Sequence, residues 1–223
     1  DSGSYTRDWA WWYTQAPYRL VIIDDDLADK ALLLASLTQM ENYLSSGGHL
    51  LVCGSLYEVS GAAYVSRTHG WHYADTVAHR LLGIDSVYSI GLRFYHDSTA
   101  APYVDSLGGF VEASPVSAEL PVLPLNTACD LYTSFIHTYW PDNTGPLTAA
   151  LVPDSGCEPV YMYGSLYPGS SEAHGSAVAV SRSHGTGTVT TAGFHLWYFE
   201  PAAVRTWIDE LLEQIPTSVA PDE

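Results

Sequence analysis

The sequence predicts an α/β domain with a mostly parallel sheet and flanking helices, and three observations point that way. A strand, a helix and a second strand follow one another between Arg19 and Cys53, within the roughly 35 residues that a βαβ unit needs. A helix opening at Pro201 carries a single apolar face. Of 223 residues, 47% are apolar and 15% charged, enough to bury a core and too few charges for wholesale disorder.

Taken in order, residues 1–18 are polar and then aromatic, with Trp9, Trp11 and Trp12 close together. They are expected to form an ordered strap packed on the sheet or on a neighbouring subunit. Arg19–Asp24 reads as a buried strand, short, branched and ended by acids. From Asp29 to Ser45 apolar residues recur at helical spacing, and Ser46-Gly47-Gly48 stops that helix. His49–Cys53 is a second buried strand, so the two strands should be parallel with a right-handed crossover. Tyr73–Leu82 reads as a helix closed by Gly83, and Ser86–Phe94 as a strand. Residues 97–160, rich in Pro, Ser, Asp and Tyr, read as a β-rich insertion of short antiparallel strands and loops. Gly185-Thr186-Gly187 is a tight turn, so residues 177–194 should form a hairpin. Pro201 then opens the last helix, where its missing N–H costs nothing, and Pro216 ends it. The domain thus spans 19–215, with 216–223 as a linker or tail. GSLY recurs at 54–57 and 164–167, each copy followed by a similar run (YVSRTHG, AVSRSHG), but the surroundings do not match.

Eight Lys and Arg against 25 Asp and Glu give a net charge of −17, which repels phosphate backbones and anionic lipid. Nucleic acid is thereby excluded as a partner, and no apolar run reaches the roughly 20 residues of a membrane span. Soluble sugars, cations, neighbouring domains or other subunits fit better. The chain opens at Asp1, which reads as a piece of a larger protein. Abundant Ser, Thr, Gly, Tyr and Trp with a single lysine, Lys30, suggest an extracellular or cell-surface setting. There Cys129 and Cys157, both in polar surroundings, could pair as a disulfide, while Cys53 packs as a small hydrophobe.

The stretch from Tyr18 to Ser55 (YRLVIIDDDLADKALLLASLTQMENYLSSGGHLLVCGS) resembles the core of class I glutamine amidotransferase-like domains. The closing GTGTVTTAGFHLWYFEPAAVRTWIDELLEQI resembles their last strand and helix. More specifically, both look like the non-catalytic versions embedded in large secreted or cell-surface bacterial proteins. The resemblance implies a flavodoxin-like sheet and a non-enzymatic role in adhesion, assembly or scaffolding. An expected first strand before Tyr18 is not recognisable, which leaves an open sheet edge and makes a homo-oligomer or filament conceivable.

The chemistry that such domains need is incomplete. Setting the elbow glycine on Gly54 puts Leu56 at the nucleophile position and Cys53 inside the strand. Phe194-His195 matches the family's Phe-His, but Trp197 stands where its Glu should be, and the nearest acid is Glu200. No catalytic set is favoured. The alternative is a hydrolase of amides or polymers using Cys53 or Ser55 with His195 and Glu200. Three adjacent acids, Asp24, Asp25 and Asp26, fall at the carboxyl end of a parallel strand. They either cap the following helix or hold a calcium ion; no other cofactor is implied. His69, His72 and His79 could share a face only if Gly70 allowed one helix. Trp9, Trp11, Trp12, Trp71 and Trp140 fall in loop-like positions and are the candidate ligand contacts, glycans being one class that stacks on flat rings.

Overall fold

The computed structural model describes residues 18–24, 30–54, 70–73, 78–89, 110–126, 148–165, 168–169, 171 and 173–215. Strand β1 (Leu20–Asp24), helix α1 (Lys30–Ser45) and strand β2 (His49–Cys53) form the βαβ unit, with β1 and β2 parallel from Leu20 opposite His49 to Asp24 opposite Cys53. Helix α1 ends because Gly47 takes a φ of 93°, open to glycine and strained for other residues, while Gly48 N–H returns to the Tyr43 carbonyl at 3.0 Å. The Tyr43 hydroxyl lies 3.0 Å from both the Tyr18 and His49 carbonyls, fastening the helix across both strand starts. Burial pushes that phenol up to about 12.

Further along come β3 (Gly70–Tyr73), a single π-helical turn (Ala78–Leu82), β4 (Ile84–Ser89), β5 (Phe110–Pro115) and β6 (Leu123–Pro124). They are followed by β7 (Ala150–Pro153), β8 (Cys157–Ser165), β9 (Ala177–His184), β10 (Gly187–Ala192) and helix α2 (Pro201–Glu213). The ten described strands join one sheet, its main path ordered β1-β2-β10-β9-β7-β4-β3. It branches at β9, whose far edge also receives β8, which in turn holds β5 and β6.

Only β1–β2 and β2–β10 run parallel; every other pairing among the described strands is antiparallel. This corrects the expected mostly parallel, flavodoxin-like sheet. Parallel pairing needs a crossover long enough to carry the chain back, and α1 supplies one for the first pair. After β2 the described strands turn back on their neighbours instead. The stretch expected to form a helix at 73–82 contributes β3 at its start and the π-helical turn at its end. Strands from residues 97–160 are woven into the same sheet: β7 lies between β9 and β4 in the main path, and β5 and β8 form the branch.

Two hydrophobic clusters cover the two faces. One gathers Leu37, Met40 and Leu44 of α1 with Leu50, Val52, Ile84, Val87 and Val189. The other is aromatic, with Tyr88, Phe110, Tyr161, Phe194, Phe199 and Trp207 of α2. The hydroxyl of Thr191 donates to the Leu82 carbonyl at 3.0 Å and Arg182 to the His79 carbonyl at 2.8 Å, tying the π-helical turn to the central hairpin.

Candidate functional site

The parallel strands β1, β2 and β10 end level with one another: Asp24 lies opposite Cys53, and Cys53 opposite Ala192. Open sheets present ligand sites beyond such carboxyl ends. Here β10 continues through Gly193 and Phe194 to His195 and a 3₁₀ turn, Leu196–Tyr198. Gly193 is required by space, since a Cβ there would stand 2.1 Å from the Ala149 carbonyl oxygen. Gly54 N–H reaches the Phe194 carbonyl at 2.9 Å, closing the gap between the β2 and β10 ends.

Asp24 meets this turn from the other side of β2. His195 Nδ1 lies 2.6 Å from Asp24 Oδ1, and the Leu196 N–H donates to Asp24 Oδ2 at 3.2 Å. A carboxylate only accepts, so the shared hydrogen belongs to Nδ1. His195 is 2% exposed and Asp24 23%, which places the pair at the wall rather than in open solvent. The turn is pinned again on its far side, where Asn126 N–H reaches the Tyr198 carbonyl at 2.8 Å and Glu200 N–H the Pro124 carbonyl at 3.1 Å. Phe199 and Tyr198 are buried. Trp197 is the exception: it stands 47% exposed between the His195 ring, 5.6 Å away, and the Tyr198 ring, 4.8 Å away. The result is an exposed indole flanked by the His195 and Tyr198 rings on a turn that the Asp24 carboxylate grips.

The sequence singles out His195 and Asp24 separately, and the structure brings them together. The version of the proposed hydrolytic set that uses Cys53 and Glu200 is not assembled. Cys53 is 1% exposed, and burial, with the Asp24 charge behind it, pushes its thiol well above the ordinary range. A buried neutral thiol is no nucleophile. Glu200 is exposed and precedes α2, while the partner on His195 Nδ1 is Asp24. Trp9, Trp11, Trp12, Trp140, Ser55, Asp25, Asp26 and Cys129 lie outside the described residues, and Trp71 is placed in β3 by its backbone. Of the three acids considered for calcium, Asp24 has both carboxylate oxygens engaged by the turn. Among the described residues no group of three or more His, Cys, Asp or Glu could hold a metal ion. Trp197, which the sequence offers only as the residue in place of a glutamate, is the exposed aromatic of this turn.

No family model matches the sequence, and no curated protein does. Among solved structures, a β-galactosidase from the Antarctic haloarchaeon Halorubrum lacusprofundi is similar at 19% identity and a TM-score of 0.49, over 89% of this chain and 22% of that one. The GH42 β-galactosidase Gan42B is similar at 13% identity and a TM-score of 0.45, over 88% and 21%. A cytoplasmic protein from Salmonella typhimurium is similar at 14% identity and a TM-score of 0.44, over 88% and 71%. The chain thus spans about a fifth of the length of these β-galactosidases. The mixed sheet, parallel only at β1–β2 and β2–β10 among the described strands, corrects the resemblance to glutamine amidotransferase-like domains. The non-enzymatic scaffold role drawn from that resemblance is withdrawn with it. So is amide hydrolysis through Cys53, for which the buried thiol leaves no attacking group. No described helix is long and apolar enough to cross a membrane.

Proposed function

We propose that this domain binds a neutral saccharide through Trp197 at the carboxyl end of the parallel strands. The observation that carries the reading is the indole itself, 47% exposed on a turn fixed from both sides. Sugar rings present apolar C–H faces that stack on indoles and hydroxyls that donate to carboxylates. Asp24, its side chain 23% exposed, keeps further lone pairs on the same turn, and its grip on His195 and Leu196 sets the height of the turn. Asp24 is therefore a positioning residue as well as a candidate acceptor. The acids on this rim, Asp24 and Glu200, and the net charge of −17 disfavour an anionic ligand.

The test is tryptophan emission of the full chain titrated with D-galactose, D-glucose and myo-inositol. A saturable change is expected for at least one of them, abolished in Trp197→Ala and retained in part by Trp197→Phe. Emission that no sugar alters, or a response that survives in Trp197→Ala, would overturn the reading.

A further inference from the structure

At the other end of the same strands lies a cleft of about 440 Å³, within the range of small-molecule sites. Its floor is the face of the sheet that α2 covers, and the strand register shows how that floor is built. Leu20, His49 and Thr188 form one row across β1, β2 and β10. Two residues further along, Leu51, Thr190, Ser181 and Glu158 form the next row, across β2, β10, β9 and β8. Residues two apart on a strand share a face, so Thr188 and Thr190 stand side by side beneath α2. Leu211 of α2 forms part of the roof.

Beneath a packed helix such positions are normally apolar, and the neighbouring part of this face is filled by Tyr161, Phe194 and Trp207. Here the floor is hydroxylated. Thr190 is 4% exposed, and its hydroxyl reaches Ser181 Oγ only at 3.5 Å, the outer limit of a hydrogen bond, so both oxygens keep capacity for a better partner. His49 also lines the cleft, and its Nε2 is buried without a hydrogen-bond partner. Buried polar atoms of this kind cost stability unless something satisfies them. Among the described residues no Lys or Arg lines the cleft, Glu158 is its one carboxylate, and Arg19, whose charge acts on His49, is turned to the Leu212 and Ile215 carbonyls.

We propose that this cleft binds an uncharged, polyhydroxylated small molecule of monosaccharide size, whose hydroxyls bond Thr190, Ser181 and His49. The site is distinct from the Trp197 rim: the Thr190–Ser181 row lies two residues, about 7 Å, and the His49–Thr188 row four residues, about 13 Å, short of the strand ends that carry the rim. It stands whether or not Trp197 binds a sugar.

The test is amide-correlation NMR of the full chain titrated with the same three polyols. Saturable shifts at the amides of Ser181, Thr188 and Thr190 are expected, unchanged in Trp197→Ala. Thr190→Val, nearly isosteric, and Ser181→Ala should each weaken the affinity roughly five- to tenfold. Thr188→Val provides a second variant on the same floor if either fails to fold. Three outcomes would overturn the proposal. The cleft amides could fail to shift with any of the three polyols, or the folded variants could bind as tightly as the parent chain. Alternatively, nuclear Overhauser contacts could place this chain's own residues in the cleft. Shifts confined to the Trp197 turn would likewise count against the cleft while supporting the rim.

Discussion

On one face of the sheet Leu37, Met40 and Leu44 of α1 lie against Leu50, Val52 and Val189, side chains with many near-equivalent ways to pack. On the other, Tyr161 meets Trp207 edge to face at 5.1 Å and 77°, Phe194 meets Phe199 at 4.7 Å and 75°, and Phe110 meets Tyr163 at 4.8 Å and 63°. Edge-to-face pairs hold ring orientations as well as volume. Phe194 and Phe199 also bracket the turn that displays Trp197. The aliphatic face therefore supplies stability alone, whereas the aromatic face supplies stability and fixes the site.

The sharpest way to break that distinction is to truncate one fully buried residue on each face. Trp207→Ala should cost about 3–5 kcal/mol and Leu44→Ala about 2–5 kcal/mol, both read from denaturant melts. Only Trp207→Ala should also change the emission of Trp197 in the folded protein. Equal effects of the two on Trp197 would refute the division of labour.

A smaller effect is expected at the clamp. Asp24→Ala leaves the buried Nδ1–H of His195 without its acceptor, a loss of about 1–3 kcal/mol. Asp24→Asn keeps an acceptor oxygen and should recover part of it. Because the carboxylate also holds Leu196 N–H, saccharide binding should fall further in Asp24→Ala than stability alone accounts for.

The smallest effect concerns acid. Burial, and after it the Arg19 guanidinium, hold His49 below its ordinary value of 6.5. Above that pH the imidazole is neutral whether the chain is folded or not. Below it the unfolded chain takes up the proton first, so this contribution to stability is lost as the pH falls. The melting temperature should drop by a few degrees between about pH 7.5 and about pH 5.5, and His49→Gln should flatten that slope.

The same contrast explains what the sequence discloses. The βαβ unit is local: the repeat of Leu37, Met40 and Leu44, the glycine stop and the branched runs on either side lie within one short stretch. Helix α2 announces itself through Pro201 and the spacing of Val204, Trp207, Ile208 and Leu211. Strands β5, β7 and β8 announce themselves only as short antiparallel pieces; their places in the main sheet do not show, because Pro115, Pro153 and Pro159 sit within them and their partners are set by distant registers. The site is hidden for a related reason. Asp24 reads as one of three helix-capping or cation-binding acids and His195 as the remnant of another family's signature. Nothing local joins residues 171 positions apart. The run His195-Leu196-Trp197-Tyr198-Phe199 before Pro201 is the one signal available, an aromatic segment too short for a helix and ending where one begins.

The position of β10 has a consequence for how the chain acquires its structure. This strand is paired twice, with β9 through the tight turn at Gly185 and with β2 across most of the sequence, Val189 lying opposite Leu50. The hairpin closes a short loop, whereas the seam with β2 must first overcome the entropy of a very long one. Leu50→Ala should therefore slow refolding in stopped-flow experiments, while Leu37→Ala in α1, away from the β2–β10 seam, should chiefly hasten unfolding; the reverse pattern would contradict this order. The turn bearing His195 and Trp197 begins as soon as β10 ends, and Asp24 waits on the far side of that seam. Formation of the Asp24–His195 contact is then a clock for the last long-range event of folding.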